Sequence, residues 1–338
     1  MQNTEQDRIW HAEGNVWVHT RMVVEQLLQL PEYQQLNSEE DKLILLTAAL
    51  LHDVAKPLCT HTDEAGRIVS PKHTRIGEQV VRTLLWDVDI QQRELICALV
   101  RLHGLPIWLL DKLNPNRAVI SASLRLPNPL LYILVKADIL GRICDTQADM
   151  LEKLEYFKEL CIETEAWDTP KNFFNPHSRY LFFQKDDAYA SQIYDDTRFE
   201  IIILAGVAGS GKDTYAKTLD LPMVSLDDWR EALDVEHGDT RGQGQVVQKA
   251  YEEAKTFAAA KQSFIWNATN LTRQLRMRFI NSLGVYNPFF RIVYLETSFA
   301  NILARRADYI PAKRLRAMRD MVEIPTLEEA HEVVILRS

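Results

Sequence analysis

The sequence predicts a multidomain fold, an all-α domain followed by an α/β domain with a parallel, doubly wound sheet. The length of 338 residues corresponds to two domains at about 150 residues each. Apolar residues recur at helical spacing over residues 16–167, in roughly seven or eight segments and without a convincing strand. After residue 198 the pattern changes to short β-rich segments that alternate with helical ones, which favours a parallel sheet.

This change of pattern predicts the domain boundaries. We expect the first domain at residues 1–166, a connector at residues 167–198 and the second domain at residues 199–338. The connector contains Pro, Asn, aromatic residues and the acidic pair Asp186–Asp187, and it lacks clean periodicity. Five strands are predicted in the second domain, at residues 200–204, 222–226, 263–266, 291–295 and 333–336.

The composition is that of an ordinary globular protein, with 46% hydrophobic and 25% charged residues. The longest apolar stretch, residues 43–51, is far shorter than the roughly 20 residues that span a bilayer. Because the first eight residues also lack the features of a secretory signal, we expect no membrane segment and a cytoplasmic protein. The four cysteines show no C-x-x-C spacing, which predicts reduced thiols in the core.

The net charge of −8 is unevenly distributed along the chain. Residues 1–170 carry 17 basic and 25 acidic side chains, whereas residues 171–338 carry 22 of each. A long, non-specific footprint on nucleic acid requires a basic surface. Any contact with a polynucleotide is therefore expected to be short and confined to its end.

A glycine-rich segment, G-V-A-G-S-G-K-D-T, follows the first predicted strand of the second domain. Glycines allow successive backbone N–H groups to surround phosphate oxygens, and the following helix adds its positive N-terminal end. Lys212 is expected to reach the transferable phosphate. The residues predicted to bind ATP or another NTP, together with Mg²⁺, are Gly206, Gly209, Ser210, Gly211, Lys212, Asp213 and Thr214. A simple glycine turn is disfavoured by the lysine.

Asp213 occupies the position at which a P-loop usually has the hydroxyl that holds Mg²⁺, and Thr214 comes one position later. Some nucleotide kinases contain the same S-G-K-D-T string. A carboxylate binds Mg²⁺ as well as a hydroxyl does, so Asp213 is the predicted ligand.

The second predicted strand of this domain ends in S-L-D-D-W-R. Phosphoryl transfer to an alcohol needs a carboxylate that orients and deprotonates the hydroxyl, and a cation that holds the acceptor phosphate. Asp227 and Arg230 supply these two groups. The alternative is that Asp227 or Asp228 only caps a helix. It is weakened by the polar string N-A-T-N at the end of the third strand, followed by Arg273, Arg276 and Arg278.

A cluster of basic residues surrounds the Ile310-Pro311 dipeptide. Mobile arginines that close over a triphosphate stabilise the charge on the transferring group. We assign this role to Arg305 and Arg306. The arginines between residues 314 and 319 also fit a solvated helix face.

The motifs of residues 200–336 resemble the polynucleotide 5′-kinase branch of the P-loop kinases. The resemblance implies that Lys212 contacts the donor phosphates, Asp227 is the general base and Arg230 holds the phosphate of the acceptor nucleotide. The chain departs from many relatives in having Asn267 at the position of a third-strand aspartate, and in a short segment between Arg306 and Pro311. We expect these departures to affect the choice of acceptor.

In the first domain, an apolar helical stretch ends in His52-Asp53. Two ionisable groups beside a core need a strong partner, and a metal ion is the natural one. Divalent transition ions bind imidazoles and carboxylates and supply an activated water for phosphoester hydrolysis. The predicted metal ligands are His19, His52, Asp53, His73, His103 and Asp138.

Two basic residues lie one helical turn from predicted ligands. Lys56 follows Asp53 by three positions and Arg142 follows Asp138 by four, so both are predicted to hold the substrate phosphate. Isolated histidines are more often structural or at the surface, and His11, His61 and His177 receive that interpretation.

The strings H-A-E-G-N-V-W-V-H-T, A-A-L-L-H-D-V-A-K-P, K-H-T-R-I-G and K-A-D-I-L-G-R resemble HD phosphohydrolases, and especially the HD domains attached to tRNA nucleotidyltransferases. Since six ligands exceed the needs of one ion, we expect two ions rather than one, such as Mn²⁺, Ni²⁺ or Co²⁺.

An HD domain followed by a polynucleotide kinase domain resembles bacterial bifunctional end-healing enzymes. The resemblance implies removal of 2′,3′-cyclic or terminal phosphates and phosphorylation of 5′-hydroxyls on RNA or DNA ends. Without a ligase lysine motif in the chain, sealing is expected from a separate ligase. A nucleotidase joined to a nucleoside or metabolite kinase is the alternative, and a nucleotide-gated binding module with two inert sites is a third possibility.

Overall fold

The structure, a computed structural model, describes residues 1–185, 192–236 and 239–337. It divides into two compact units, Met1–Asn172 and Phe173–Ser338. Residues 186–191 of the predicted connector, with its acidic pair, lie outside the described residues. The rest of the predicted connector contains a helix, Pro176–Gln184, that belongs to the second unit.

The first unit is helical, as predicted. Its helices are α1 (Val16–Gln29), α2 (Pro31–Gln34), α3 (Glu39–Leu51), α4 (Lys56–Cys59), α5 (His73–Leu84), α6 (Ile90–Leu102), α7 (Pro115–Ser123), α8 (Asn128–Leu140) and α9 (Gln147–Glu163).

The expectation of no strand in this unit was wrong in one place. A small antiparallel hairpin joins β1 (His61–Thr62) to β2 (Ile68–Val69). Its turn forms because the Asp63 carboxylate accepts hydrogen bonds from the backbone N–H groups of Ala65 and Arg67. Strands of two residues are too short to produce the alternating pattern from which strands are predicted.

Helix α8 lies at the centre of the first unit and packs against α1, α3, α6 and α9. Ten of its thirteen residues are buried, including Asp138. Its C-terminal end approaches α1 closely, since a Cβ atom on Gly141 would lie 2.8 Å from the backbone nitrogen of Val23. Glycine is therefore required at this position, and the close approach brings Asp138 of α8 near His19 of α1.

The second unit alternates strands and helices. Its helices are α10 (Pro176–Gln184), α11 (Lys212–Ala216), α12 (Leu226–Ala232), α13 (Thr240–Ala259), α14 (Arg273–Leu283), a 3₁₀ helix (Gly284–Tyr286), α15 (Phe299–Arg306) and α16 (Ala312–Asp320). Its strands are β3 (Glu200–Ala205), β4 (Met223–Ser225), β5 (Phe264–Asn267), β6 (Phe289–Glu296) and β7 (Glu332–Arg337).

All five predicted strands are confirmed, and they form one parallel sheet in the order β4-β5-β3-β6-β7. The register aligns Ser225 of β4 with Asn267 of β5, and Asn267 with Leu204 of β3. Because the strands are parallel, their C-terminal ends meet at one edge, where open α/β sheets bind ligands. The glycine-rich loop leaves β3 at this edge.

Helix α10 is held to the sheet of the second unit by two buried histidines. The Phe290 N–H donates to His331 Nδ1 at 3.0 Å, so that His331 Nε2 donates to His177 Nδ1 at 2.9 Å. Tyr180 and Phe289 stack on the His331 ring at centroid distances of 4.1 and 4.7 Å. His177 is thus structural, as predicted from the sequence.

This histidine pair predicts a loss of stability in acid. Burial, and next the neighbouring His177, lower the pKa of His331 from 6.5 to about 3, while Asp195 raises it and Arg179 lowers it. The folded state therefore keeps His331 neutral where the unfolded chain binds a proton. The contribution of neutral His331 to the free energy of unfolding should be fully present above pH 6.5. Below that pH, the free energy of unfolding should fall by up to about 1.4 kcal/mol per pH unit.

Thermal unfolding of the full chain at pH 7.5 and pH 5.0 checks this expectation. We expect the pH-dependent loss to shrink in His331→Gln, whose amide does not titrate. A loss of equal size in the variant and the wild type would assign the acid sensitivity to other groups.

Among the described residues, no single helix is long and apolar enough to cross a membrane, and only α7 and α8 together, bent by 109°, pass that test of length and composition. The four cysteines are free thiols, of which Cys97 and Cys161 are buried and Cys59 and Cys144 are partly buried.

Candidate active sites

The six predicted metal ligands lie together in the first unit, on or directly after five helices. His19 lies on α1, His52 and Asp53 follow α3, and His73 begins α5. His103 directly follows α6, and Asp138 lies on α8. All are buried except His73, which is about one-quarter exposed.

Asp53 is the centre of this cluster. Its Oδ2 atom lies 3.3 Å from His52 Nε2 and 3.9 Å from His19 Nε2, and its Oδ1 atom lies 3.5 Å from His73 Nε2 and 3.9 Å from His103 Nε2. The ligand atoms thus form two groups that share Asp53, one with His19 and His52 and one with His73 and His103.

Three of the four histidines of the cluster are oriented by a backbone partner on their Nδ1 atoms. His52, His73 and His103 place Nδ1 at 2.8–2.9 Å from the backbone carbonyls of residues 49, 70 and 100. A carbonyl accepts only from a protonated nitrogen, so the neutral form of each of these imidazoles has its lone pair on Nε2, the atom nearer to Asp53. This is the arrangement by which proteins orient metal-binding imidazoles.

The electrostatics of the cluster also fit a cation. Burial raises the pKa of Asp53, but Lys56 and His52 outweigh it and leave the pKa well below its usual range. For Asp138, burial is likewise outweighed by Arg142 and His19. Within the described residues, His52 Nε2 and Asp53 Oδ1 are buried and make no hydrogen bond. A divalent ion would satisfy these two buried atoms, which lack hydrogen bonds.

The two predicted phosphate-binding residues border the cluster. Lys56 Nζ lies 2.8 Å from Asp53 Oδ2, and the Arg142 guanidinium contacts Asp138 Oδ2 at 2.6 Å. Lys56 Nζ also donates to Gln6 Oε1 at 2.6 Å. Both cations are therefore held beside the predicted ligands.

Sequence reasoning missed Glu13. Its Oε1 atom lies 2.7 Å from His11 Nδ1 and 2.9 Å from His19 Nδ1, while Oε2 accepts from the Ile143 N–H at 2.9 Å. The string H-A-E is the only signal of this contact, because nothing in helical spacing relates residue 13 to the end of α8. His11 is satisfied by Glu13, as the structural interpretation predicted, but it also lies against the His19 ring.

In the second unit, the glycine-rich loop joins β3 to α11 in a conformation that requires glycine. Gly206 has φ 144°, and a Cβ atom there would lie 2.4 Å from the Leu295 carbonyl oxygen. Gly209 has φ 88°, and its Cβ atom would lie 2.8 Å from Arg306 Cγ. The loop is therefore packed closely between the end of β6 and helix α15.

Lys212 is buried at the start of α11 and closes the loop on itself. Its Nζ atom donates to the carbonyls of Gly206 at 2.8 Å and Val207 at 3.1 Å. Burial lowers its pKa from 10.5 to about 8, while Asp213 and Asp227 raise it. The amine is therefore held by carbonyl oxygens of the loop itself.

Asp227 lies at the start of α12 but does not cap it. Ser225 is the N-cap and accepts from the Asp228 N–H, so the capping interpretation of Asp227 and Asp228 is wrong. The exposed Asp227 carboxylate instead pairs with the Arg230 guanidinium, which also donates to Gln243 Oε1. The predicted base and the predicted phosphate-binding residue are therefore adjacent.

One cleft of about 1740 Å³ joins these groups. It is lined by the loop from Ala208 onward, by Asp227, Arg230 and Asn267, and by Arg305 and Arg306, the arginines predicted to close over the triphosphate. Arg305 donates to the Gly209 carbonyl at 3.0 Å, and an Arg306 nitrogen lies 3.7 Å from Asp213 Oδ2.

Arg273 and Arg276, which follow β5, do not line the cleft. Arg276 is buried in a two-pronged ion pair with Glu329, and Arg273 pairs with Glu328. Both tie α14 to the segment before β7. The two arginines lie three residues apart, on one face of α14, and this face binds another part of the chain. The same spacing would suit a helix face that binds phosphate, so the sequence alone does not distinguish the two.

Comparisons with known proteins match each unit separately. Residues 16–140 match the family model of the HD domain, and residues 201–325 match that of AAA_33, an AAA domain. No curated protein matches the chain.

Several solved structures are similar at 15–17% identity. The Pnkp1/Rnl/Hen1 complex has 17% identity and a TM-score of 0.31, covering 34% of this chain and 41% of that one. The Mycobacterium tuberculosis APS kinase CysC, in complex with AMPPNP and APS, has 15% identity and a TM-score of 0.33, covering 41% and 89%. A gluconokinase from Sinorhizobium meliloti 1021 has 16% identity and a TM-score of 0.31, covering 42% and 83%.

The matched ranges coincide with the two sites, since residues 16–140 contain all six clustered ligands and residues 201–325 contain the phosphate loop and Asp227. The chain is therefore an enzyme with an HD phosphohydrolase domain followed by a P-loop kinase-like domain.

Proposed function

We propose that the protein heals nucleic-acid ends, phosphorylating 5′-hydroxyls with an NTP and hydrolysing 2′,3′-cyclic or terminal phosphates. The observation that carries the kinase half is the single cleft that contains the phosphate loop, Asp227 and Arg230. Sites for one small ligand measure about 300–1,000 Å³. A cleft of about 1740 Å³ fits a donor nucleotide together with a terminal nucleotide of the acceptor.

In the kinase reaction, Lys212 binds the donor phosphates and Asp227 accepts the proton of the attacking 5′-hydroxyl. Arg230 binds the phosphate next to that hydroxyl, and the approach of this phosphate separates Arg230 from Asp227. Arg305 and Arg306 exchange their contacts with Gly209 and Asp213 for the transferring phosphate. The carboxylate orients the acceptor, and the cations stabilise the charge that develops on the phosphoryl group.

In the HD domain, we propose that His19, His52 and Asp138 hold one divalent ion, that His73 and His103 hold a second, and that Asp53 contributes to both. Divalent transition ions such as Mn²⁺, Ni²⁺ or Co²⁺ supply there an activated water for attack on phosphorus. Lys56 and Arg142 bind the substrate phosphate. Each cation lies beside a proposed metal ligand and can neutralise the negative charge of a phosphate bound there.

The products of the two reactions are ends that a ligase joins. We therefore propose a separate ligase as the partner that acts next, and the cytoplasm as the location of the protein. The ends on which the protein acts are those of RNA or DNA.

One observation favours a nucleoside or metabolite kinase joined to a nucleotidase. Glu231, Asp234 and Glu236 line the cleft beside Arg230, and carboxylates at this end oppose a polyanionic acceptor. Phosphorylation of a 5′-hydroxyl oligonucleotide, compared with free nucleosides and sugars, decides between the two. The proposal expects kcat/KM for the oligonucleotide to exceed the others by at least tenfold.

Glu13 provides a test of the metal site that does not depend on turnover. Removal of a carboxylate that orients a metal-binding histidine typically costs about 10–100-fold in metal affinity. We expect Glu13→Ala to lower the affinity for Mn²⁺ or Co²⁺ by this factor, measured by titration of the metal-free protein. Glu159→Ala, at an exposed position of α9, is the control. Equal affinity in both variants would remove Glu13 from the site.

A further inference from the structure

Two departures from the usual P-loop arrangement contact each other in the second unit. P-loop enzymes generally hold Mg²⁺ with a hydroxyl that follows the lysine and with a carboxylate from a neighbouring strand. Here the residue after the lysine is Asp213, and the neighbouring strand β5 ends in Asn267. The Asn267 Nδ2 atom donates to Asp213 Oδ1 at 2.8 Å.

The sheet explains why these two side chains meet. Asn267 is aligned with Leu204 of β3, the second-to-last residue before the phosphate loop. Asp213 lies in the first turn of α11, directly after that loop. Any residue at position 267 therefore faces the start of α11, which is the position from which a strand carboxylate would normally act.

The environments of the two residues differ in a way that assigns their roles. Asn267 is 6% exposed and is fixed within the sheet, whereas the Asp213 side chain is 56% exposed and lines the cleft. The amide occupies Oδ1 and leaves Oδ2 facing the cleft, where the nearest cation is an Arg306 nitrogen at 3.7 Å. An amide nitrogen cannot bind a cation, but it can hold a carboxylate that does.

We propose that the chain has exchanged the two Mg²⁺-binding positions: Asp213 supplies the carboxylate from the helix, and Asn267 is the positioning residue that holds it. The pair keeps one negative charge, as a hydroxyl with a strand carboxylate does. Asn267 acts on the donor nucleotide through Asp213 and has no direct part in acceptor choice. This inference rests on the proposed role of Asp213 in binding Mg²⁺ with the donor.

The test measures ATP binding to the full chain by calorimetry, with Mg²⁺ and with EDTA, in the absence of any acceptor. The ratio of the Kd in EDTA to the Kd in Mg²⁺ reports how much Mg²⁺ contributes to ATP binding. We expect Asp213→Ala to lower this ratio at least tenfold and Asn267→Ala to lower it at least threefold. In the Asp213→Ala background, Asn267→Ala should change nothing, because coupled residues do not have additive effects.

Substitution of both residues by those of a usual P-loop enzyme gives a prediction of opposite sign for the Kd ratio. In the Asp213→Ser background, Asn267→Asp restores the usual hydroxyl and strand carboxylate, and it should raise the ratio above that of Asp213→Ser alone. Asn281→Ala, at an exposed position of α14, is the matched control for Asn267→Ala. Thermal unfolding identifies any variant that fails to fold. In that case, the comparison of Asp213→Ser with and without Asn267→Asp tests the proposal.

The outcomes separate this inference from the proposed function. An unchanged ratio in Asp213→Ala would refute the Mg²⁺ role of Asp213 itself. A lowered ratio in Asp213→Ala, with an Asn267→Ala effect that is absent or equal in both backgrounds, would overturn only the exchange. Because no acceptor is present, neither result depends on whether the acceptor is a polynucleotide.

Discussion

Asp227→Ala is expected to lower 5′-hydroxyl phosphorylation by about two or more orders of magnitude, because it removes the group that orients and deprotonates the attacking hydroxyl. Its carboxylate is exposed to the cleft and is not needed to cap α12, since Ser225 performs that task. The fold should therefore survive the substitution. ATP binding should remain close to that of the wild type, since Lys212 and the loop are unchanged.

Asp228→Ala is the matched control for this prediction. Asp228 is the next residue of the same helix turn and does not line the cleft. Single-turnover phosphorylation of an oligonucleotide separates the chemical step from product release. Similar losses in both variants would indicate a general effect on the start of α12 and would remove Asp227 from the role of base.

Asp53→Ala is expected to abolish phosphate removal and to lower bound metal, while 5′ phosphorylation continues. Asp53 contacts all four clustered histidines within 3.9 Å and is shared by both proposed ligand groups. Its loss therefore affects both ions at once, and we expect at least a hundredfold decrease in hydrolysis.

Metal analysis of the purified variant, together with hydrolysis of a 2′,3′-cyclic phosphate end, measures this effect. Asp149→Ala, at an exposed position in the first turn of α9, is the control. The substitution also leaves Lys56 without its carboxylate partner, so thermal unfolding is followed in parallel. Normal metal content with full hydrolysis in Asp53→Ala would refute the metal site.

The parts of this protein that were predictable from sequence depend on local patterns. The P-loop string lies between a β-rich segment and a helical one, so its position at the end of β3 followed from the motif. The ligands of the HD cluster stood out because His52-Asp53 directly follows an apolar helix and Asp138 interrupts another. Both features are visible without knowledge of how distant segments pack.

The parts that sequence did not predict depend on contacts between distant segments. Glu13 reaches the cluster only because α1 and the end of α8 approach at Gly141. Arg276 follows the polar string at the end of β5 in the sequence, but in the structure it is buried in an ion pair with Glu329. The contact between Asp213 and Asn267 follows from strand register, which spacing along the chain does not reveal.

The central claim, two separate reactions on the two kinds of nucleic-acid end, is tested most directly with one oligonucleotide that carries a 5′-hydroxyl and a 2′,3′-cyclic phosphate. Both ends should be processed by the wild type, only the cyclic phosphate by Asp227→Ala, and only the 5′ end by Asp53→Ala. The claim is contradicted if the wild type phosphorylates free nucleosides or sugars but not the oligonucleotide, or if either substitution abolishes both reactions in a folded protein.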